Sequence, residues 1–423
     1  MSQTVTIDSS NHLKSLVLER FGHEPDDLVQ QRLSAAEQYF TLDWPRLERT
    51  PLKKRRLDDI PIFSAPLQPK PVAPSDHALI EIRLDNNYLT HCIVPDALKQ
   101  KGLILEPLQQ AIERSAVRKL LGTLTGKITD RIGALNQALW HNGVFLSVPA
   151  NLNEPIEVSI GHHATDEVRA LIMRNLIVVG PHSRLVVTER LITEASANKM
   201  LLSEATEIIV QDGGQVEFGA IQQCASHVEG FIRRIGQIHQ DAVLDWNIGE
   251  FGSSLAVSGH ESHLAQPGAT TRSTTVFFGS SQQHQDYTAK SLHQAPHTTS
   301  NMIARGVMKD RARSIFTGLT QIDQGARGSD GRQKEETLML SDESRADAIP
   351  SLVIDERDVY AAHAASAGPV DRGAIFYLTS RGLSEEDAIR LIVHGFLAPV
   401  IDRIPHIGLR DEVWAAVERK IRE

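Results

Sequence analysis

The chain has 423 residues, with 44 lysines and arginines against 53 aspartates and glutamates, and a formal net charge of −9. This acidic balance argues against a nucleic-acid-binding protein, which usually carries a basic field. The two cysteines, Cys92 and Cys224, are too few for a disulfide framework, and they argue against a thiolate site for zinc or an iron–sulfur cluster held by this chain alone.

The first part, residues 1–145, is predicted to be a mostly helical domain with a proline-rich connector. It shows no signal peptide, and the chain has no run of about 18 apolar residues that could span a membrane. We therefore expect a cytoplasmic protein with no membrane partner. The basic segment from Trp44 to residues 53–56 is interpreted as a solvated linker and not as a nucleic-acid patch, because the chain as a whole is acidic.

Residues 146–366 contain short β-branched runs separated by tight polar turns, which recur at intervals of about 27–32 residues. These intervals leave no room for crossover helices, so a doubly wound sheet is not expected. A β-sandwich is an alternative, but the turns follow no hairpin rule. The pattern favours a mainly β protein with a right-handed parallel β-helix, or solenoid, flanked by N-terminal and C-terminal helical domains.

Helical periodicity returns in residues 367–423, which we predict to be a C-terminal helical domain. Ser384 is a predicted N-cap, and Asp387 occupies the capping-box position. The apolar stripe that follows is wide, and a second short helix carries a similar stripe. Part of this surface is expected to pack against the solenoid end, and its richness also suggests a docking surface for a partner.

Motifs for catalysis are missing from the sequence. The segment GTLTGK at 122–127 resembles a phosphate-binding loop, but it has too few residues between its glycines and Ile128 where a hydroxyl is needed, so the chain is not expected to bind a nucleotide itself. The histidines at 162–163 and the pair His293 and His297 are interpreted as structural, because no cysteine or carboxylate cluster accompanies them. Cys224 is interpreted as an apolar filler of the solenoid.

Three groups of segments resemble the SufB and SufD scaffold proteins of the SUF iron–sulfur cluster assembly system, and a weaker trace lies at Trp44 and 50–52. The most specific segment contains the sequence DVYAAHA, in which the histidine is His363. The segments lie at 134–139, 143–149 and 154–156; at 292–300, Gly306, Gly318 and 329–331; and at 354–355, 358–364, Gly368, 376–378, 380–382 and 386–388.

The resemblance is to the SufD branch of this family. SufB-type chains carry an essential cysteine in the late coils, whereas the corresponding stretch here has Lys334 and Glu335 and no thiol. SufB-type chains also have glutamates near the later histidine, which here lies between Ala362 and Ala364. Some SufD-type chains carry a cysteine two residues before this histidine, but here the residue is Ala361, which puts a thiolate from this subunit in doubt.

The resemblance implies a non-catalytic scaffold that pairs with SufB through the β-helix and with the ATPase SufC through the C-terminal helices. It also implies that a nascent iron–sulfur cluster is built at the SufB–SufD interface and shared transiently with SufB. His363 is the expected ligand for the cluster or its iron, because imidazole can replace thiolate on a cluster. The residues expected to dock SufC are Arg381, Gly382, Glu386, Ile389 and Phe396.

Two alternatives belong to other functional classes. One is a SufB-like scaffold that acts as a homodimer, which the missing cysteines argue against. The other is a β-helix enzyme that acts on polysaccharides, but no convergent carboxylates for such chemistry are visible in the sequence.

Overall fold

The structure is a computed structural model that describes residues 9–61, 80–126, 128–152 and 154–423. The proline-rich connector predicted from the sequence lies almost entirely outside these residues. The α-helices are α1 (Ser10–Phe21), α2 (Asp26–Thr41), α3 (Asp96–Gln100), α4 (Leu108–Ala111), α5 (Ser115–Leu120), α6 (Arg131–Leu139), α7 (Arg372–Ser380), α8 (Glu385–Ile401) and α9 (Ile407–Arg422).

The strands are most numerous after residue 143. They are β1 (Glu81–Asp85), β2 (Tyr88–Ile93), β3 (Ile104–Pro107), β4 (Val144–Val148), β5 (Ile156–Ala164), β6 (Ala170–Val179), β7 (Arg184–Thr193), β8 (Met200–Val210), β9 (Gln215–Gln223), β10 (Val228–Ile238), β11 (Val243–Glu250), β12 (Leu255–Leu264), β13 (Thr270–Gly279), β14 (His284–His293), β15 (Thr299–Met308), β16 (Arg313–Ile322), β17 (Asp330–Met339), β18 (Arg345–Ile354) and β19 (Tyr360–Pro369).

From β5 onward the chain forms a parallel β-solenoid of about eight turns. Each turn adds one strand to a ten-stranded sheet with the order β19-β17-β15-β13-β11-β9-β7-β5-β1-β2, which we call sheet A. The next strand of the same turn joins a nine-stranded sheet with the order β18-β16-β14-β12-β10-β8-β6-β4-β3, which we call sheet B. The repeat predicted from the polar turns is confirmed, and so is the mainly β solenoid with helices on both sides.

The space between the two sheets, the lumen, is filled by alternate residues of each strand, as the two-residue period of a β-strand requires. In the early coils many of these residues are apolar and stack on their counterparts in the next coil, although Glu189, Glu204 and Arg234 form a buried ion-pair network among them. Val216 pairs with Leu244, and Phe218 pairs with Trp246, whose ring lies 5.4 Å from the Phe218 ring in an edge-on arrangement. Apolar burial of this kind is the main stabilising contribution to a solenoid.

The N-terminal part caps the first coil and covers the outer face of sheet B. Strands β1 and β2 extend sheet A as an antiparallel pair, and β3 pairs with β4 at the edge of sheet B. These strands were not included in the prediction of a mostly helical segment, because each is only four to six residues long and carries little periodicity. Helices α1, α2 and α6 pack together over the early strands of sheet B.

A segment at residues 44–60, which we call the strap, crosses the outer face of sheet B. The Arg49 guanidinium lies 2.7 Å from the Asp347 carboxylate on β18. Thr50 is buried, and its Oγ1 atom lies 2.7 Å from His284 Nε2 on β14. The Arg55 guanidinium lies 3.9 Å from the Glu229 carboxylate on β10. The interpretation as a solvated linker is therefore wrong for these residues. The sequence shows the basic charges of the strap, but it does not show the carboxylates of distant coils that face them.

The C-terminal helices α8 and α9 pack on the outer face of sheet A, against β9, β13 and β15. The helices were expected at the solenoid end, but they lie over its middle coils. Outward-facing apolar residues of those strands explain this position, and glycines make room for the helices. A Cβ atom at Gly219 would collide with Leu409, and one at Gly249 would crowd Val413. The predicted N-cap of α8 is confirmed, since the Asp387 N–H donates to Ser384 Oγ at 3.1 Å. In the described residues no helix is long and apolar enough to cross a membrane.

Candidate functional site

The last coil of the solenoid is uncovered. Strand β19 is the edge strand of sheet A and β18 is the edge strand of sheet B, and neither contains a buried residue. An edge strand presents backbone N–H and C=O groups that another chain can pair with. Tyr360, at the start of β19, has 77% of its surface exposed. This end of the solenoid therefore differs from the other end, which is capped by β1, β2 and the N-terminal helices.

His363 lies on this uncovered strand and is exposed. It pairs in register with Gln333 of β17, which is buried and faces the lumen. Because paired residues of neighbouring parallel strands point to the same face, His363 also faces the lumen side, at its open end. Its neighbours along the strand, Ala362 and Ala364, are too small to cover it. The imidazole is thus accessible to a ligand or to a partner chain.

Within this chain His363 has few companions for metal binding. Across the residues that the structure describes, no three His, Cys, Asp or Glu side chains converge as a metal site. Cys92 is exposed on β2, at the opposite edge of sheet A. Cys224 is buried between β9 and β10, where burial raises the pKa of its thiol far above the ordinary range. Its position in an apolar cluster confirms the interpretation as a filler.

The other histidines singled out in the sequence are held by internal contacts. His162 faces the lumen, and burial lowers its pKa, whereas the ring of His163 lies 3.2 Å from Asp85. Because successive strand residues point to opposite faces, these two histidines do not converge on one ion. His293 is buried, with Nδ1 2.8 Å from Thr298 Oγ1 and Nε2 2.8 Å from Ser300 Oγ. The structural interpretation of these histidines is consistent with these contacts.

The loop that resembles a phosphate-binding loop holds an internal anion. The Glu207 carboxylate accepts hydrogen bonds from the backbone N–H groups of Gly122 at 2.6 Å, Leu124 at 2.8 Å and Thr125 at 2.6 Å. Backbone amides that converge in this way favour a negative charge. The carboxylate therefore occupies the position that a phosphate would take, and it ties the N-terminal part to sheet B.

Comparison with known proteins points to one family. A family model described as "SUF system FeS cluster assembly, SufBD core domain" matches residues 162–396. The chain is 31% identical to the iron–sulfur cluster assembly protein SufD of Bacillus subtilis, over 94% of this chain and 95% of the relative. It is also 27% identical to iron–sulfur cluster assembly SufBD family proteins of Staphylococcus epidermidis and Staphylococcus aureus, over 73% of this chain and 67% of each relative.

The chain belongs to the SufBD family. The resemblance drawn from the sequence is confirmed, including its similarity to the SufD branch, and the chain is a SufD-like protein of iron–sulfur cluster assembly.

The residues that the sequence suggested for docking in this SufBD chain fall into two groups. Arg381, Gly382 and Glu386 are exposed around the junction of α7 and α8. Ile389 and Phe396 are only partly exposed, because they pack against the cluster that joins α8 to sheet A. The guanidinium of Arg305 lies 5.0 Å from the centre of the Phe396 ring. Ile389 and Phe396 therefore hold α8 in place, whereas Arg381, Gly382 and Glu386 form an exposed surface.

Exposed apolar residues beside this surface were missed by sequence reasoning. Phe376 of α7 has 74% of its surface exposed, and Tyr377 and Leu391 are also exposed. A signal was present in the sequence, because residues 375–378 are four consecutive apolar residues. One helix face cannot bury all four, so some of them must point to solvent or to a partner. No residue of α7 is buried, so this helix lacks a complete packing partner within the described chain.

Proposed function

We propose that this chain is a non-catalytic scaffold subunit of the SUF system. It pairs with SufB through the uncovered end of the β-solenoid, and it binds the ATPase SufC through the C-terminal helices without binding nucleotide itself. A nascent iron–sulfur cluster is built at the SufB interface, with His363 as a ligand from this chain. The observation that carries the proposal is the position of His363, which is exposed on the last, unpaired strand of the solenoid.

The open edge supports pairing with SufB. A ten-residue strand with a free edge, such as β19, is prone to pair with another strand. The same end also exposes Val353, Ile354 and Tyr360, which are large apolar side chains that a partner would bury. A partner solenoid placed here would satisfy the free backbone groups and cover His363 at the same time.

The chemistry of His363 supports its role as a ligand. Imidazole binds iron and can take the place of thiolate on a cluster. The described part of this chain places no thiol near the last coil, so SufB has to supply the cysteine ligands. A subunit that contributes a single imidazole suits a scaffold, because a nascent cluster has to be released to its acceptor.

The surface around α7 supports docking of SufC. It combines the exposed aromatic residues Phe376 and Tyr377 with charges from Arg381 and Glu386. Aromatic and arginine side chains are enriched at the centres of protein interfaces. Because α8 is anchored on sheet A, a movement of bound SufC would move the C-terminal helices and the solenoid together, as one rigid unit.

The test is co-expression of this chain with SufB and SufC, with the wild type beside His363→Ala. Complex assembly is measured by size-exclusion chromatography, and the cluster by bound iron and acid-labile sulfide. We expect the variant complex to assemble normally and to lose most of its cluster. A variant complex that retains full cluster content would overturn the ligand role. A chain that forms a homodimer and builds a cluster without SufB would support the SufB-like alternative.

A further inference from the structure

A cleft on the outer face of sheet B takes no part in the proposed function. Its floor is formed by β8, β10 and β12, and its walls by the loop before α6, by α6 itself and by Pro45 and Leu47 of the strap. The cleft has a volume of about 320 Å³. This volume lies in the range of roughly 300–1,000 Å³ that is typical of sites for small molecules.

Two arginines flank a low point in the floor of this cleft. Arg174 of β6 pairs in register with Ala205 of β8, which pairs with Arg233 of β10, and Gly259 of β12 follows in the same row. Residues paired in register on parallel strands point to the same face, and neighbouring strands lie about 4.8 Å apart. The small residues Ala205 and Gly259 therefore leave open space between the two guanidinium groups and beside them.

Arg174 is buried without a direct counter-ion. Only 4% of its surface is exposed, and it lines the cleft. Its Nε atom donates to Asn136 Oδ1 at 2.8 Å, whereas its two Nη groups make no hydrogen bond or ion pair with a described residue. A buried guanidinium is unfavourable unless its charge is paired and its N–H groups are bonded. An anion in the cleft would supply both.

The charges around Arg174 leave a positive excess. Burial lowers the pKa of Arg174 to about 10, which Glu207 counteracts and which Arg32 and Arg233 reinforce. Glu207 already accepts three backbone N–H groups of the loop, and Arg32 is paired with Glu24. The two arginines of the row and Glu207 together carry one net positive charge.

The other charged groups of the cleft are engaged elsewhere. The exposed Arg233 donates from Nη1 to the Thr125 carbonyl oxygen at 3.1 Å, and it forms no ion pair with a carboxylate in the described part of the chain. Lys290 lies 3.8 Å from Glu261 at the far side of the floor, so these two charges balance. Asp130, at the rim, accepts from the Gly133 N–H at the start of α6.

We propose that this cleft binds a small organic carboxylate, with its carboxylate group above Ala205 and between Arg174 and Arg233. Guanidinium groups match the geometry of a carboxylate, and a single negative charge balances the row. The carbon body of the ligand packs against the apolar lining, which includes Leu47, Ile132 and Val257. The inference goes beyond the proposed function, because it depends on neither SufB nor SufC.

The experiment is calorimetric titration of the full-length chain with benzoate at low salt, beside a titration with inorganic phosphate. We expect the wild type to bind one equivalent of benzoate, and the affinity to fall at least ten-fold in Arg233→Gln, which loses the charge and the forked donors. Thermal melting checks that the variant remains folded. Arg313→Gln removes an exposed arginine from β16 of the same sheet and should bind benzoate as the wild type does.

Ala205→Leu provides a second variant that keeps both arginines. Its larger side chain fills the space between them, so we expect it also to abolish binding. The inference is overturned if the wild type binds no benzoate, if Arg233→Gln binds it with wild-type affinity, or if phosphate binds more tightly than benzoate. The proposed function is decided separately, by the cluster content of the His363→Ala complex with SufB and SufC.

Discussion

Arg190 and Glu412 join the solenoid to the C-terminal helices by a two-pronged ion pair. The Arg190 Nε atom on β7 lies 3.0 Å and 2.9 Å from the two carboxylate oxygens of Glu412 on α9. Both side chains are partly exposed. The pair links the early coils, at the capped end, to the helical unit that we propose as the SufC-binding element.

Breaking this pair should loosen α9 without unfolding the solenoid. We expect Glu412→Gln to lower the free energy of unfolding by about 0.5–1 kcal/mol, because partly exposed pairs contribute little. Hydrogen exchange should be faster in α9 than in the wild type, while the strands of sheet B should be unchanged. The exposed pair of Arg311 and Glu343 is a control, and Arg311→Gln should change neither measurement. Equal exchange rates in α9 for wild type and Glu412→Gln would contradict this prediction.

Phe376 should be a determinant of SufC binding. With 74% of its surface exposed, Phe376→Ser removes an apolar ring from the proposed interface without disturbing the core. We expect the affinity for SufC to fall at least ten-fold, as for an interface hot spot, with no change in melting temperature. Ile407, which is 64% exposed at the start of α9, offers a control of similar exposure. Ile407→Ser should bind SufC normally, and equal losses for both variants would argue against a specific role for α7.

Glu207 on β8 should stabilise the loop at residues 122–125, which we expect not to bind nucleotide. Glu207→Gln leaves one of the three amide donors of the loop without an acceptor, so we expect a loss of about 1–3 kcal/mol in the free energy of unfolding. Glu157→Gln, an exposed substitution on β5, is the control. Addition of ATP and Mg²⁺ should leave the melting temperature of the wild-type chain unchanged. An increase in melting temperature with ATP would show that the loop accepts a phosphate in place of Glu207.

Arg32 should be essential for folding of the N-terminal part. Its buried guanidinium bonds to Glu24, with Nε 2.7 Å and Nη2 2.9 Å from the carboxylate oxygens, and it lies between the rings of Phe21 and Trp140. Glu24→Gln leaves a buried charge without its counter-ion, so we expect a loss of about 3–5 kcal/mol. Arg32→Lys should be nearly as damaging, because lysine cannot make the planar, two-pronged contact. Chemical denaturation measures both, and a loss below 1 kcal/mol would contradict this account.

Acid should destabilise the solenoid through buried neutral histidines such as His293. Burial lowers the pKa of His293 from 6.5 to about 4. The unfolded chain therefore takes up a proton below about pH 6.5 that the folded chain does not, and stability falls as the pH drops from 6.5 to 4. We expect His293→Gln to be less stable at neutral pH but to show a flatter profile over this window. His23→Gln, at an exposed position, should keep the wild-type profile, and parallel profiles for His293→Gln and wild type would contradict the assignment.

The solenoid could be predicted because its signal is local and repeated. Short β-branched runs and turns such as Asp212-Gly213-Gly214 recur once per coil, and each coil has the same packing requirement as the next. The N-cap of α8 is equally local, since Ser384 and Asp387 are only three residues apart. The motif around His363 identified the family without any knowledge of the fold.

Contacts between distant coils could not be predicted in this way. The strap was taken for a linker because Arg49 and Asp347 are 298 positions apart, and nothing local indicates that they pair. The C-terminal helices were expected at the solenoid end, because an apolar stripe shows that a helix packs but not where. Their place was decided by Gly219 and Gly249, which leave room for Leu409 and Val413 on sheet A.

The sequence by itself therefore determined the class of fold and the family, and it singled out His363 as a candidate ligand, because each of these depends on local patterns or on a recognisable motif. Only the tertiary structure decided that His363 lies on an unpaired strand and that Arg174 and Arg233 stand on either side of Ala205. The physical reason is the register between coils. A residue's neighbours in a solenoid lie about thirty positions away, and small changes in turn length decide which side chains stand next to each other.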